Sequence, residues 1–481
     1  MAPLAPRLAF AIAAILAGPV LAQPEPPDEP QPQRRPPSVR PHADTRVAKP
    51  PPSPTLGGDG GRKRLEDKGV KLALSYGSQT AWNARGGERE LVRETGQLTF
   101  GATLDMEKLA GLKGGTFQAT GTYRRGYDLT EKAGLGVLQQ VQEVFGRGQT
   151  WRVTQLWYQQ DLGDSGIDLK LGRLLTGEDF AAFSCEFMNL TFCGAPPGNI
   201  VGNYWFNWPV SQWAARLRVK RGDSLYFQAG VYEVNPRNLE KDFTIGYFNG
   251  ATGALIPVEI GWTPKLGTDQ LPGTYKLGGW YNTEDADDLR LDINRQPRPL
   301  TGASALRREG QYGGYFMAQQ QVFGRAEGEQ TISGLTLFFN FSQADRETAR
   351  IDNQVSVGLF YTGLFQERPE DVIGFAVGRT NVNSRAERGF HARPPATGGA
   401  ARRGIRQRTL LRLPPLQVDH PASQRAVHHQ PRRVRPQQGH RGHRPQGQHR
   451  AVIFLRVRIF ISCRGSRTLC TPILFEPRPP L

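Results

Sequence analysis

The sequence predicts an all-β protein, an antiparallel barrel of the type that crosses an outer membrane, and three observations carry that prediction. The chain opens on an export leader. Its central part alternates apolar with polar or small residues along segments of about ten residues, the length a tilted strand needs to cross a bilayer. The polar side of those segments carries consecutive charges, which a small closed interior cannot hold and a wide, water-filled one can.

The leader occupies residues 1–22. One charge, Arg7, precedes an apolar run from Leu8 to Ala17, and Val20-Leu21-Ala22 supplies a small-residue cleavage pattern. The run is too short to span a bilayer as a helix, and no later stretch offers the ~20 apolar residues that a spanning helix needs. Residues 23–55 follow as a linker. Twelve of the 32 residues from Gln23 to Pro54 are proline, a composition that favours an extended polyproline spacer in the periplasm over a packed element.

The body, residues 56–385, is expected to form the barrel. Leu98, Phe100, Ala102 and Leu104 share one face of a strand while Gln97, Thr99, Gly101 and Thr103 share the other. Ala215, Leu217 and Val219 alternate with Arg216, Arg218 and Lys220; Arg221-Gly222-Asp223 offers a turn; and Leu225, Phe227, Ala229 and Val231 resume the apolar face, which makes a hairpin. Leu335, Leu337, Phe339 and Phe341 oppose Thr336, Asn340 and Ser342, and Val355, Val357, Leu359 and Tyr361 oppose Gln354, Ser356 and Gly358. Helical periodicity surfaces only weakly, from Leu135 to Phe145. Alternation alone fits a secreted sandwich as well. The leader, the strand length with Tyr, Trp and Phe near strand ends, and the charged polar face favour the membrane barrel. No long insertion that could plug its lumen stands out.

Several chemistries are excluded. The sole histidine before residue 386 is His42, in the linker, so the body can assemble neither a Ser-His-Asp triad nor a histidine metal cluster. No GxxxxGK[ST] loop precedes a helix. Glu178 and Asp179 are adjacent carboxylates that point apart on an extended chain and are expected as a solvated acidic turn. No enzyme activity, cofactor or metal is expected. Cys185 and Cys193 are the body's only cysteines; in an oxidising compartment they are expected to close a short loop as a disulfide at or inside a pore mouth.

At these residues the chain resembles the carbohydrate-selective porin family (OprB type). The resemblance rests on Arg147–Tyr158 (RGQTWRVTQLWY), Leu171-Gly172-Arg173 with Gly177-Glu178-Asp179-Phe180, the cysteine loop, Gly230–Pro236 (GVYEVNP), Gly250–Gly253 with Pro257-Val258-Glu259, and Gly378–Arg385 (GRTNVNSR), and runs from about Leu65 to Arg385. It implies an outer-membrane barrel of sixteen strands in a Gram-negative bacterium. Such a barrel would pass mono- and oligosaccharides by diffusion through a charged and aromatic constriction. Sugar hydroxyls exchange water for charged and amide partners, their apolar faces stack on aromatic rings, and binding stays weak enough for release. The expected lumen residues are Arg125, Arg173, Glu178 and Asp179, with Arg216, Arg218 and Lys220 along one wall. Trp205 and Trp208 are candidates for sugar stacking or, alternatively, for the membrane girdle. Further expected contacts are outer-membrane lipid and lipopolysaccharide, the cell wall through the linker, and other barrels in a homotrimer. A second class, a non-conducting binding or anchoring barrel, stays open.

Residues 386–481 depart from this pattern. They hold 19 arginines, no lysine, three acids and seven of the eight histidines, and so supply +16 of the net +17. The basic pI therefore describes the tail, and the nearly neutral body gives no reason to expect nucleic acid as a partner. Composition alone would leave this Arg/His/Pro-rich tail disordered. A shifted reading frame explains it differently. One nucleotide later, codons for Gln417-Val418-Asp419-His420 can spell Lys-Trp-Ile-Thr, which is strand-like, and Val452-Ile453 can conceal a stop ahead of Cys463 and Cys470. Without closing strands after Arg385, a barrel edge would be left unpaired in lipid, at several kcal/mol per unsatisfied group. Resequencing the genomic DNA across the codons for Asn381 to Phe390, with a C-terminal mass for the purified protein, is expected to reveal a missing or extra base; a confirmed frame would make the basic tail genuine.

Overall fold

The computed structural model describes residues 59–328, 330–365 and 371–385. The expected leader, linker and basic tail lie outside the described residues. Within them the strands run β1 (Val70–Asn83), β2 (Leu91–Asp105), β3 (Gly115–Gly126), β4 (Trp151–Asp161), β5 (Ile167–Leu174), β6 (Gln212–Arg221), β7 (Leu225–Val234), β8 (Gly253–Trp262), β9 (Lys265–Leu266), β10 (Leu271–Asn282), β11 (Ala286–Asp292), β12 (Ala305–Arg308), β13 (Gln311–Glu327), β14 (Gln330–Ala344), β15 (Ile351–Thr362) and β16 (Val372–Val382). Thirteen of these form one antiparallel path in chain order; β9 extends it beside β10, and β11 pairs only with β12. The described residues thus hold thirteen spanning strands of the sixteen that the resemblance implies.

Burial along the strands is inside out. On β14 Leu337, Phe339 and Phe341 are exposed while Thr336, Asn340 and Ser342 are buried. On β6 Leu217 is exposed and Arg216 buried. The β6–β7 hairpin forms as the sequence predicts, with Arg221 opposite Leu225 and Arg216 opposite Gly230. Only a solvent of hydrocarbon outside and polar groups inside stabilises that inversion, and the antiparallel ladder meets its other demand by pairing backbone groups strand to strand. Exposed Trp82, Trp151, Trp262 and Tyr281 stand at or near strand ends on the outer side, where an aromatic girdle belongs.

From β2 to β13 the connections alternate in length. Residues 106–114, 162–166, 222–224 and 263–270 turn the chain at one end, whereas residues 127–150, 175–211, 235–252 and 283–310 connect the strands at the other. Short turns face the periplasm and long loops the exterior in barrels of this kind. Two of the long connections fold inward, although no plugging insertion stands out in the sequence. The first, which includes the segment Leu135–Phe145, is irregular where weak helical periodicity was read. Its Gln142 Nε2 donates to Gln79 O on β1 at 2.7 Å, and its Gln139 Nε2 donates to Gln354 Oε1 on β15 at 3.0 Å. One short segment therefore touches the first strand of the path and the next to last, which requires the sheet to curl round it. The backbone of this segment pairs instead with the second inward connection, Glu143 N to Met188 O and Leu190 N to Gln140 O, which is why it is not helical.

The second inward connection carries the cysteines. Its Phe187 and Phe192 pack with inward-facing Phe338 and Phe360. Glycines on the inner face of β15 and β16 make the room: a methyl group at Gly374 would come within 2.7 Å of Phe187 Cζ, and one at Gly358 within 2.6 Å of Phe338 Cε1.

Outside the spanning strands, the β11–β12 hairpin is clamped to the end of β16. Arg385 Nη2 donates to both Asp288 oxygens at 2.9 Å, and Arg308 Nη2 lies 2.8 Å from Asp288 Oδ2. Burial alone would raise the Asp288 pKa. The N–H groups of Leu291 and Arg290 and the two guanidiniums outweigh it and hold the carboxyl at about 2, so this clamp persists from neutral pH down to that value and is lost only as pH falls through it.

Phe338→Ala should remove the ring under the cysteine loop at a cost of about 3–5 kcal/mol. Denaturant unfolding in detergent micelles is expected to show an earlier transition, and an unchanged midpoint would deny that ring its anchoring role.

Candidate functional site: the inner face and the disulfide loop

The inner face is built from alternate residues of the strands, and what it grips is the short helix Thr176–Asp179 with the chain just after it. Asp179 is buried. Its Oδ1 accepts from Lys170 Nζ at 2.9 Å and its Oδ2 from Tyr232 OH at 2.8 Å, while its backbone oxygen accepts from Gln228 Nε2 at 2.6 Å. Arg216 bonds Asp168 and approaches Asp179 Oδ1 at 3.9 Å. Two carboxylates thus face two cations, so the cluster is balanced and its role is to hold the loop. Glu259 does the same one strand pair further on. Its oxygens accept from Tyr226 OH, Gln228 Nε2, Tyr315 OH and Ala181 N, each at 2.8 Å. Removing one member of the Lys170–Asp179 or Arg216–Asp168 pair leaves an uncompensated buried charge, which costs several kcal/mol.

Beyond these anchors, Cys185 and Cys193 form a disulfide across a sequence separation of eight, with Cα atoms 4.3 Å apart. Asn199 Nδ2 donates to Leu190 O at 2.7 Å and to Cys193 O at 2.9 Å, so the second half of the closed loop is tied down from Leu190 to Cys193.

The residues singled out from sequence separate into three groups. Asp179, Arg216 and Arg173 are inside but buried. Arg173 donates to Ser211 O at 2.6 Å, Asn238 Oδ1 at 2.9 Å and Thr244 Oγ1 at 3.0 Å, and so fixes the connection after β7. Asp179 is not the solvated turn that adjacent acids suggested, because Lys170 and Tyr232 reach it. Trp205 is fully buried, edge-on to Trp280 at 5.4 Å and to Tyr315 at 6.1 Å. A ring covered on that scale neither stacks a sugar nor lies in the girdle.

A second group remains open to water. Glu178 is exposed and accepts from Gln155 Nε2 at 2.6 and 2.8 Å. Lys220 is exposed, Arg218 is half-buried with its Nε on Gln228 Oε1 at 2.9 Å, and half-buried Trp208 donates its indole N–H to Gln97 Oε1 at 3.1 Å.

Arg125 alone stands on the other face. It is exposed, and its Nη2 donates to Tyr76 OH at 2.9 Å. The expected lumen position falls instead to its neighbour Arg124, which is buried, donates to Gln97 Oε1 at 2.7 Å and lies 3.7 Å from Glu143 Oε2. Strand parity decides this, since Thr120, Thr122 and Arg124 share the buried side of β3. Sequence reasoning also missed Glu143, Lys170 and Glu259. Period-two parity carried through β5 and β8 would have put Lys170 and Glu259 inside.

The description "Carbohydrate-selective porin, OprB family" matches residues 89–405. The chain belongs to that family. Porin B of Pseudomonas aeruginosa is 44% identical over 336 residues, covering 68% of this chain and 73% of that protein. The solved structure titled "High pH structure of Pseudomonas putida OprB" superposes with a TM-score of 0.66 at 40% identity, covering 69% of this chain and 80% of that one. The protein is accordingly an outer-membrane β-barrel porin of a Gram-negative bacterium, a channel for carbohydrates. The family match continues to residue 405, past Arg385, at which the resemblance in motifs ends.

Protein hems in the Glu178 carboxyl on most sides even though lumen water reaches it. That desolvation raises its pKa; Lys170 opposes the rise, Asp179 adds to it, and the Gln155 hydrogen bonds oppose it. The carboxyl therefore keeps its proton to a higher pH than an ordinary glutamate, and the charge it gains on deprotonation enters the lumen in a window above roughly pH 4.3. Cation over anion permeability through planar bilayers is expected to rise with pH across that window in the native protein and to stay flat in Glu178→Gln; identical profiles would remove Glu178 from the path.

Proposed function

We propose that sugars cross this porin by diffusing past the in-folded disulfide loop, meeting Glu178, Arg218 and Lys220 as hydrogen-bonding charges and Trp208 as an aromatic face. The observation that carries this is the inverted strand: an apolar outer face, a charged and polar inner face, and a loop fixed within it by Asp179, Glu259 and the Phe338 cluster. Buried Asp179, Arg216, Arg173 and Trp205 shape the passage by holding its parts, and the groups still open to water supply contacts weak enough to let a sugar leave. An enzyme reading finds no support in a channel family.

Further contacts follow from the setting. Outer-membrane lipid and lipopolysaccharide face the exposed apolar band, the proline-rich linker is suited to reach the cell wall, and association as a homotrimer would use that same outer face. The tail from Ala386 is proposed as a frame-shifted remnant of the closing strands.

A second reading has one observation in its favour: two connections, not one, fold inward, and if they fill the lumen the barrel anchors or binds without conducting. Liposome swelling separates the two. Vesicles containing the protein are expected to swell faster in neutral monosaccharides than in ions of similar size, and absence of swelling in any sugar would favour the non-conducting barrel.

A further inference from the structure

One recess on the inner wall includes none of Glu178, Trp208, Arg218 or Lys220 in its lining. It lies where β10 pairs with β13, beneath the start of the disulfide loop, and encloses about 180 Å³ between Phe183, Ser184, Thr274, Lys276, Met317 and Gln319. By volume that is on the order of six water molecules, room for one sugar ring or part of it and not for a chain of rings. The sheet places its polar groups together. Thr274 and Lys276 share a face of β10, and Gln319 is the cross-strand partner of Thr274 while Met317 is that of Lys276.

Among the described residues no carboxylate touches the ammonium group of this recess, and Glu259 attracts it only from a distance. Lys276 Nζ donates to Ala182 O at 2.6 Å, which uses one of the three donors of an ammonium group. Among the described residues no carboxylate lies within 4.0 Å of it. The nearest candidate, Glu259, has both oxygens occupied by Tyr226, Gln228, Tyr315 and Ala181. Ser184 Oγ donates to Gln319 Oε1 at 2.9 Å, and this orients the Gln319 amide so that its N–H groups are left over. Phe183 adds an aromatic face. Ammonium, amide and hydroxyl donors beside a ring therefore line a cavity that contains no acid.

We propose that this recess is a binding station for sugars that carry a carboxylate, uronates and aldonates, with Lys276 pairing the acid group while Gln319 and Thr274 take the ring hydroxyls. Such a station deepens the porin reading and rests on it. A neutral sugar finds the same hydroxyl partners but no use for the charge, so the recess separates acidic from neutral monosaccharides.

The test uses the full-length protein in liposomes, with glucose and glucuronate as paired probes and flux measured against concentration at low salt. Glucuronate flux should saturate at a lower concentration than glucose flux in the native protein. Lys276→Gln should raise the glucuronate half-saturation roughly threefold, the scale of one partly exposed ion pair, with glucose flux unchanged. Lys276→Arg should keep the native ratio, and unchanged glucose flux certifies that each variant has folded. An unaltered glucuronate-to-glucose ratio in Lys276→Gln overturns the proposal while leaving the porin intact. Absence of glucose flux in the native protein overturns the porin reading and this proposal with it.

Discussion

Backbone pairing in hydrocarbon is the constraint from which the rest of this structure follows. No N–H or C=O within the membrane can turn to water, so the chain must spend its spanning residues on antiparallel ladders. The ladder fixes side chains to alternate faces, and the outer face has only one acceptable composition. Every specific feature of the protein is therefore confined to the inner face and the connections. Arg216 and Leu217, neighbours in sequence, show the division: one is buried among carboxylates, the other exposed to lipid.

A polar inner face does not by itself make a passage of defined shape. Here the shape is given by chain that is not part of the ladder, and two different kinds of contact secure it. At one end of the disulfide loop, Asp179 and the backbone of Ala181 are held by Lys170, Tyr232 and Glu259. Towards the other end, Phe187 and Phe192 rest on Phe338 over a floor cleared by glycine. Polar contacts set direction and aromatic contacts set depth. The disulfide closes the short loop that carries both phenylalanines, just after the segment that the polar contacts hold.

Much of this was legible in the sequence because period-two alternation is a local property. The strands and the β6–β7 hairpin follow from it directly, and the two cysteines do form their bond. The inner loop was not legible, for a physical reason. Its residues are placed by partners far away in sequence, as Gln139 is by Gln354, and no window along the chain contains both. Arg125 was assigned to the lumen by residue type where parity gives that place to Arg124. Trp205 looked available because a tryptophan beside a loop usually is, and only the convergence of Trp280 and Tyr315 covers it. One clue was present: Phe338 interrupts the polar side of β14, and Gly374 and Gly378 thin the same side of β16, a bulky residue and a clearing prepared for a packed segment.

The segment from Gln139 to Val144 reaches β1 at Gln79 and β15 at Gln354. It works as a tie rod across the seam between the first strand and the last ones described. The spacing of β1 and β15 is then set by a piece of chain that belongs to neither strand. The separation of Gln79 from Gln354 is thus held by side-chain amides from inside the sheet and owes nothing to backbone pairing between the two strands.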